Sequence, residues 1–293
     1  MIYVINKINK YKQFFTGVYD TLYSIFSTEL NYLYTKHILV HDRDNKKNSS
    51  ILWLVNEQKN PEYIYVISSG GLSKGNVNYI KLFISKLPNR MMCILNKPGV
   101  LTPLNKISHY NNNIYVEDTV NYLRSKYINV KICLLGFSQG GNSMYRAQQK
   151  LNYDACVVID FPISLMDLFK DMKYKRYGRL DILSAWSIYV ALKDNLDIKP
   201  PYLNGYKYLS KYLCTFTETN LDEYIEQYKI YDNIPKNTLV IISRNDPIIN
   251  YNNDLRQGTE TWKFNKGGHC GCLKYYSDLS VKIDNWVNNK IIK

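Results

Sequence analysis

No stretch of about 18 apolar residues occurs in this chain, so no segment reads as a membrane-spanning helix. Lys7, Lys10 and Lys12 break every early apolar stretch, so no secretory signal peptide is expected and a cytoplasmic location is. Gly (14) and Pro (9) are sparse among 293 residues, and nothing repeats at a fixed period, which excludes solenoids and propellers. The six cysteines, at 93, 133, 156, 214, 270 and 272, form no small-domain disulfide framework. Cys93, Cys133 and Cys156 sit inside apolar runs, where a thiol behaves as a small hydrophobe. Cys270 and Cys272 lie beside His269, but no second ligand pair stands at zinc spacing, so free thiols in a reducing compartment are expected. Histidine is scarce too, with four in all.

What is present suits one large domain over 1–293, since 45% of the residues are hydrophobic and can build a sizeable core. The bias toward Asn, Ile, Lys and Tyr (28 Tyr) reads as the codon imprint of an AT-rich genome rather than as chemistry. Net charge is +13, yet the cations are scattered, with the densest group running from Lys170 to Arg179. No zinc-finger, RNA-binding or basic-zipper signature accompanies them, so a nucleic-acid partner is not expected. A basic surface leaves peripheral contact with an anionic membrane open. Phe14, Phe15, Val18, Leu22, Ile25 and Phe26 recur at helical spacing, which suits packing against the body more often than a membrane surface.

Short β-branched apolar runs predict strands at His37–His41, Ile51–Val55, Tyr63–Ser68, Met91–Leu95, Lys131–Leu135, Ala155–Ile159, Leu239–Ile242 and Thr259–Phe264. The first two are close enough to be antiparallel neighbours. Helical patterns then intervene at Val77–Leu87, Tyr115–Tyr127 and Gln139–Lys150, and a last helix is expected over Tyr275–Asn289. That alternation predicts βαβ units and a mostly parallel sheet of about eight strands with helices on both faces. Residues 1–36 read as an N-terminal extension. The rhythm breaks between Ile159 and Leu239, and residues 161–236 read as a helical cap inserted over the strand ends.

The sharpest local pattern is Gly136-Phe137-Ser138-Gln139-Gly140, between the apolar run Ile132-Cys133-Leu134-Leu135 and a helical segment. This is the context of a nucleophile elbow, where a tight strand-to-helix turn demands glycine on both sides of the serine. It predicts an α/β-hydrolase fold with Ser138 as nucleophile. The serine needs a base, and the base an orienting acid, in the chain order Ser, acid, His. Of His37, His41, His109 and His269, only the last follows the serine. The acid should leave the penultimate strand, which selects Asp246 in Ser243-Arg244-Asn245-Asp246-Pro247; Asp254 is the fallback. A loop aspartate before proline can equally be a plain turn initiator. Two backbone donors are needed for an oxyanion, and Gln139 and Leu72, the latter in the Gly-rich loop after the third strand, are the candidates.

With these residues in view, the chain resembles the α/β-hydrolase-domain proteins 1 and 3, their bacterial YheT-like relatives and the plant embryogenesis-associated hydrolases. The resemblance runs from about residue 30 onward through Gly71-Leu72, Tyr79-Ile80, Asn96 to Gly99, Glu117-Asp118, the elbow, Asn245-Asp246-Pro247 and Gly267-Gly268-His269. Departures are Gly70-Gly71 where the group opens its loop with His-Gly or Pro-Gly, and Asn96-Lys97-Pro98-Gly99 where it has Asn-x-Arg-Gly. The resemblance implies hydrolysis of carboxylic esters, with acyl lipids the leading substrates, by an acyl-enzyme on Ser138. It calls for no metal or organic cofactor. Acyl transfer or thioester cleavage by the same triad is the rival enzymatic reading, and a non-catalytic hydrolase-fold binding protein the rival from another class.

Overall fold

Strands that are apolar at every position must be covered on both faces, which a sheet between two helical layers achieves. Such a sheet organises the chain in a computed structural model, which describes residues 16, 19, 36–41, 49–70, 77–97, 113–148, 151–162, 237–249 and 260–291. Its strands are Lys36–His41 (β1), Ser49–Val55 (β2), Tyr63–Ser68 (β3), Met91–Asn96 (β4), Lys131–Phe137 (β5), Ala155–Ile159 (β6), Thr238–Ser243 (β7) and Glu260–Phe264 (β8). The helices among the described residues are Asn78–Ser85 (α1), Ile114–Lys126 (α2), Gln139–Ala147 (α3), Cys272–Tyr275 (α4) and Leu279–Ile291 (α5).

The sheet has eight strands in the order β1-β2-β4-β3-β5-β6-β7-β8. The β1–β2 and β2–β4 pairs are antiparallel, and every pair from β4 to β8 is parallel. The chain leaves β3 for β4 on one side and returns past it to β5 on the other. A crevice is therefore expected outside the C-terminal ends of β3 and β5, where the winding reverses.

Alternation along each strand divides the core in two. Tyr65 and Ile67 of β3 pack with Phe83 of α1 and with Ile283 and Val287 of α5. Ile64 and Val66 face the other way, toward Val116, Val120 and Leu123 of α2 and Met144 and Tyr145 of α3. Cys93, Cys133 and Cys156 are buried free thiols within these layers, as the apolar runs suggested.

Most boundaries shift by one to three residues, and two of the differences have a visible cause. β5 continues through Gly136 and Phe137, because both still pair with β6. The last helix is two, since Tyr276 leaves helical geometry and packs its ring 4.4 Å from that of Phe264 on β8. The expected extension 1–36 and cap 161–236 lie almost wholly outside the described residues.

At the sheet edge where the parallel strands begin, Asp284 of α5 accepts from β3 and from the turn before β4. Tyr63 Oη donates to its Oδ1 at 2.5 Å and Tyr65 Oη at 2.9 Å, while Arg90 Nε donates to Oδ2 at 3.0 Å. This lashes α5 to β3 and to the turn entering β4. Asp284→Ala would strand two buried hydroxyls and leave the Arg90 guanidinium with Glu62 and Asn288 alone. Equilibrium unfolding in urea should show a loss of about 2–3 kcal/mol; a loss under ~0.5 kcal/mol would mean the cluster contributes little.

Candidate active site

Parallel strands send their C-terminal ends to one edge, and four consecutive strands each deliver a polar residue there. Ser138 follows β5, Asp160 follows β6, Asp246 lies in the turn after β7, and His269 lies in the loop after β8. The sequence predicted three of these to meet, and they do. Ser138 Oγ lies 2.6 Å from His269 Nε2, and His269 Nδ1 lies 2.8 Å from Asp246 Oδ2.

The serine occupies a strained turn, with φ 52° and ψ −125°. A non-glycine residue there costs on the order of 1–3 kcal/mol, which its surroundings must offset. They do so through Ser138 N–H, which donates to the Ile159 carbonyl at 2.9 Å, and Asn142 N–H, which returns to the Ser138 carbonyl at 3.2 Å. Glycine is required on both sides, though the two glycines meet different obstacles. A Cβ on Gly136 would fall 2.4 Å from Gly141 Cα, whereas one on Gly140 would fall 2.4 Å from the Ser68 and Ser69 carbonyl oxygens of the β3 exit.

Asp246 serves in both of the ways its sequence context allowed. Its Oδ1 accepts from the Ile248 and Ile249 N–H groups at 2.7 and 3.0 Å, an aspartate-initiated turn, and this leaves Oδ2 aimed at the imidazole. Asn245 latches the two loops together, accepting from Gly268 N–H at 2.8 Å. Burial alone would drive the His269 imidazole down. The charge of Asp246, its hydrogen bond and then the charge of Asp160 outweigh that and hold the ring above its ordinary value. With Nδ1 donating to the carboxylate, Nε2 is left to accept the Ser138 proton.

Gln139 is the first residue of α3, where backbone N–H groups face out along the helix axis. Leu72, the other expected donor, lies outside the described residues, as does the fallback acid Asp254. Gly70, at the entrance to that loop, is placed so that a Cβ on it would stand 2.7 Å from Ser138 Cβ. Its N–H donates to Tyr79 Oη at 3.0 Å, and the Tyr79 ring lies tilted, 4.6 Å from the ring of Phe137, the residue before Ser138. Among the described residues, no group of His, Cys, Asp or Glu could hold a metal ion.

The arrangement therefore has a hydroxyl with a proton acceptor in hydrogen-bond contact, an anion bracing that acceptor, and a helix start behind the oxygen. Such a set can attack an electrophilic carbonyl and shuttle one proton.

No protein-family model matches this sequence, and no curated protein matches it. Solved structures do. An esterase of Pyrococcus furiosus superposes with a TM-score of 0.59 at 13% identity, covering 89% of this chain and 94% of its own. The α/β hydrolase fold accounts for this chain. Est1E of Butyrivibrio proteoclasticus superposes at 0.57 with 13% identity, over 88% of this chain and all (100%) of its own. An α/β serine hydrolase of Xanthomonas campestris described as lacking a lid reaches 0.52 at 12% identity, covering 89% and 96%. At such identities the likeness is one of fold.

Two site residues escaped the sequence reading. Lys97, directly after β4, is buried and donates its Nζ to Gln139 Oε1 at 2.7 Å, while burial pushes its ammonium down to about 7. Asp160, directly after β6, is fully buried between the acid and base loops. Their common signal was available: a charged residue ending an apolar parallel strand at the edge where the elbow emerges.

The His269 ring should titrate with a midpoint above the ordinary 6.5 in heteronuclear NMR. Asp246→Asn removes the anion that favours the protonated ring, so the midpoint should then fall. A midpoint at or below 6.5 in the parent protein would contradict this electrostatic account.

Proposed function

We propose that this protein is a serine hydrolase of carboxylic esters, with acyl lipids as the leading substrate class. The observation that carries this reading is the unbroken hydrogen-bonded relay from Ser138 through His269 to Asp246 at the elbow of an α/β hydrolase fold. Structural neighbours named as esterases support it, and one of them, Est1E, has been seen with ferulic acid bound. Acyl lipids rest on the resemblance to the α/β-hydrolase-domain protein 1 and 3 group, with which the basic surface at +13 net charge agrees.

In this reading Ser138 attacks the acyl carbonyl as His269 takes its proton. The carbonyl oxygen, now negative, is held by the Gln139 N–H and, in our assignment, the Leu72 N–H. Collapse of the tetrahedral adduct expels the alcohol, which His269 protonates. Water, deprotonated by the same ring, then cleaves the acyl-enzyme and restores Ser138. Asp246 holds the tautomer and stabilises the imidazolium. Residues 161–236, inserted between the neighbouring strands β6 and β7, would form a cap that selects the acyl chain and head group.

A fluorophosphonate probe should label the wild type at Ser138, and Ser138→Ala should abolish labelling in a protein that still folds. Nitrophenyl esters of graded acyl length should be hydrolysed, with His269→Ala lowering kcat by at least ~1000-fold. Because only the neutral ring accepts a proton, kcat/KM should rise with pH along an acid limb centred above 6.5. Well-folded protein that neither labels nor turns over any ester would instead favour a binding protein built on this fold.

A further inference from the structure

We propose that Asp160 is a positioning residue of this site: a second buried carboxylate that ties the acid and histidine loops together and sets a second negative charge, beside that of Asp246, at His269. The inference rests on the reading of His269 as the base for Ser138.

Its geometry sets it apart. β6 lies between β5, which leads to Ser138, and β7, which leads to Asp246. The loop after β8 must therefore reach back over the end of β6 to bring His269 to Ser138. Asp160 occupies that end. Its Oδ1 accepts from Ser243 N–H at 2.6 Å, and its Oδ2 accepts from Ser243 Oγ at 2.9 Å and from Cys270 N–H at 2.9 Å. One side chain thus holds the last residue of β7, three before Asp246, and the residue directly after His269.

Backbone strain marks the same spot. Among the described residues, five other than glycine have positive φ: Asn56, Asn129, Ser138, Asp160 and Cys270. Asparagine tolerates that region, so the two Asn turns are unremarkable. The other three are the nucleophile, Asp160 at φ 45° and the residue that Asp160 holds, at φ 64°. Aspartate tolerates that region as asparagine does, so the strain lies at Ser138 and at Cys270, which Asp160 holds, and the surrounding contacts must over-determine both.

Three donors converging on a carboxylate favour its charged form, while burial and the nearby charge of Asp246 oppose it and push Asp160 up from the carboxylate range. The groups that act on it are His269 and Cys270 from the loop after β8, Cys272 at the start of α4, Asp246 from the turn after β7, and Ser243 at the end of β7. The Cys270 and Cys272 thiols are driven well up by burial and then by Asp160, so they stay neutral. Among these groups His269 is the one that can carry positive charge, and the imidazolium formed when Ser138 is deprotonated feels the charge of Asp160 as well as that of Asp246.

The test is Asp160→Asn. The amide can still accept from Ser243 N–H, but its NH2 opposes Cys270 N–H, and the charge is gone. In the Ser138→Ala background, where no turnover is needed, the NMR midpoint of His269 should move to lower pH. In the Ser138 enzyme, kcat should fall by roughly 10- to 100-fold at unchanged KM, the scale of a misplaced catalytic group. The acid limb of its pH profile should move the same way as the midpoint. A residue that merely braces the loops would lower kcat without moving the midpoint, and an unmoved midpoint in folded Asp160→Asn overturns the proposal. Should that variant not fold, Ser243→Ala removes one donor, makes Asp160 easier to protonate, and should lower the midpoint less far but in the same direction; no movement there overturns it equally. Absence of fluorophosphonate labelling in the wild type would remove the hydrolase reading, while the midpoint would still decide whether Asp160 sets the basicity of His269.

Discussion

Two short hydrogen bonds through one imidazole are the constraint that the rest of this structure serves. Ser138 leaves β5 and His269 follows β8, positions separated by roughly 14 Å across three strand spacings. No local propensity can close such a gap. It is closed by the loop after β8 folding back along the sheet edge, with the Asn245 amide and the Asp160 carboxylate gripping Gly268 and Cys270 on either side of His269. The helical layers exist, in this view, to hold β5 through β8 parallel and in register so that their ends stay at fixed separations.

Electrostatics at that edge are a contest between desolvation and pairing. The His269 ring, both aspartates and Lys97 are all buried, and an isolated charge there would be strongly disfavoured. Each is instead answered: Asp246 by two backbone N–H groups and the imidazole, Asp160 by three donors, Lys97 by the Gln139 amide oxygen. Preorganised groups of this kind do not need to reorient as charge develops, which is the main advantage a folded site has over water.

The parts of the architecture that could be read from the chain were those governed by short-range rules. The unbroken apolar runs from Tyr63 to Ile159 located the parallel strands to within a residue or two. Tight-turn sterics around Ser138 made the elbow visible, and chain order then singled out Asp246 and His269 without any knowledge of distance. The break at Tyr276 was illegible because it answers to a ring on another element, Phe264, rather than to a proline or glycine in its own segment. Gly140 was expected on account of its own turn, yet it is demanded by carbonyls of a different strand.

The sequence by itself determined which residue types recur at which spacing, and hence the strand order in the chain, the strained serine turn and the candidates for acid and base. Only the tertiary structure decided which charges share a volume. Asp160 and Lys97 look like ordinary loop-starting residues in one dimension. They join the site because neighbouring parallel strands end side by side, and Coulomb interactions depend on distance through space and on burial, neither of which is written in the order of residues.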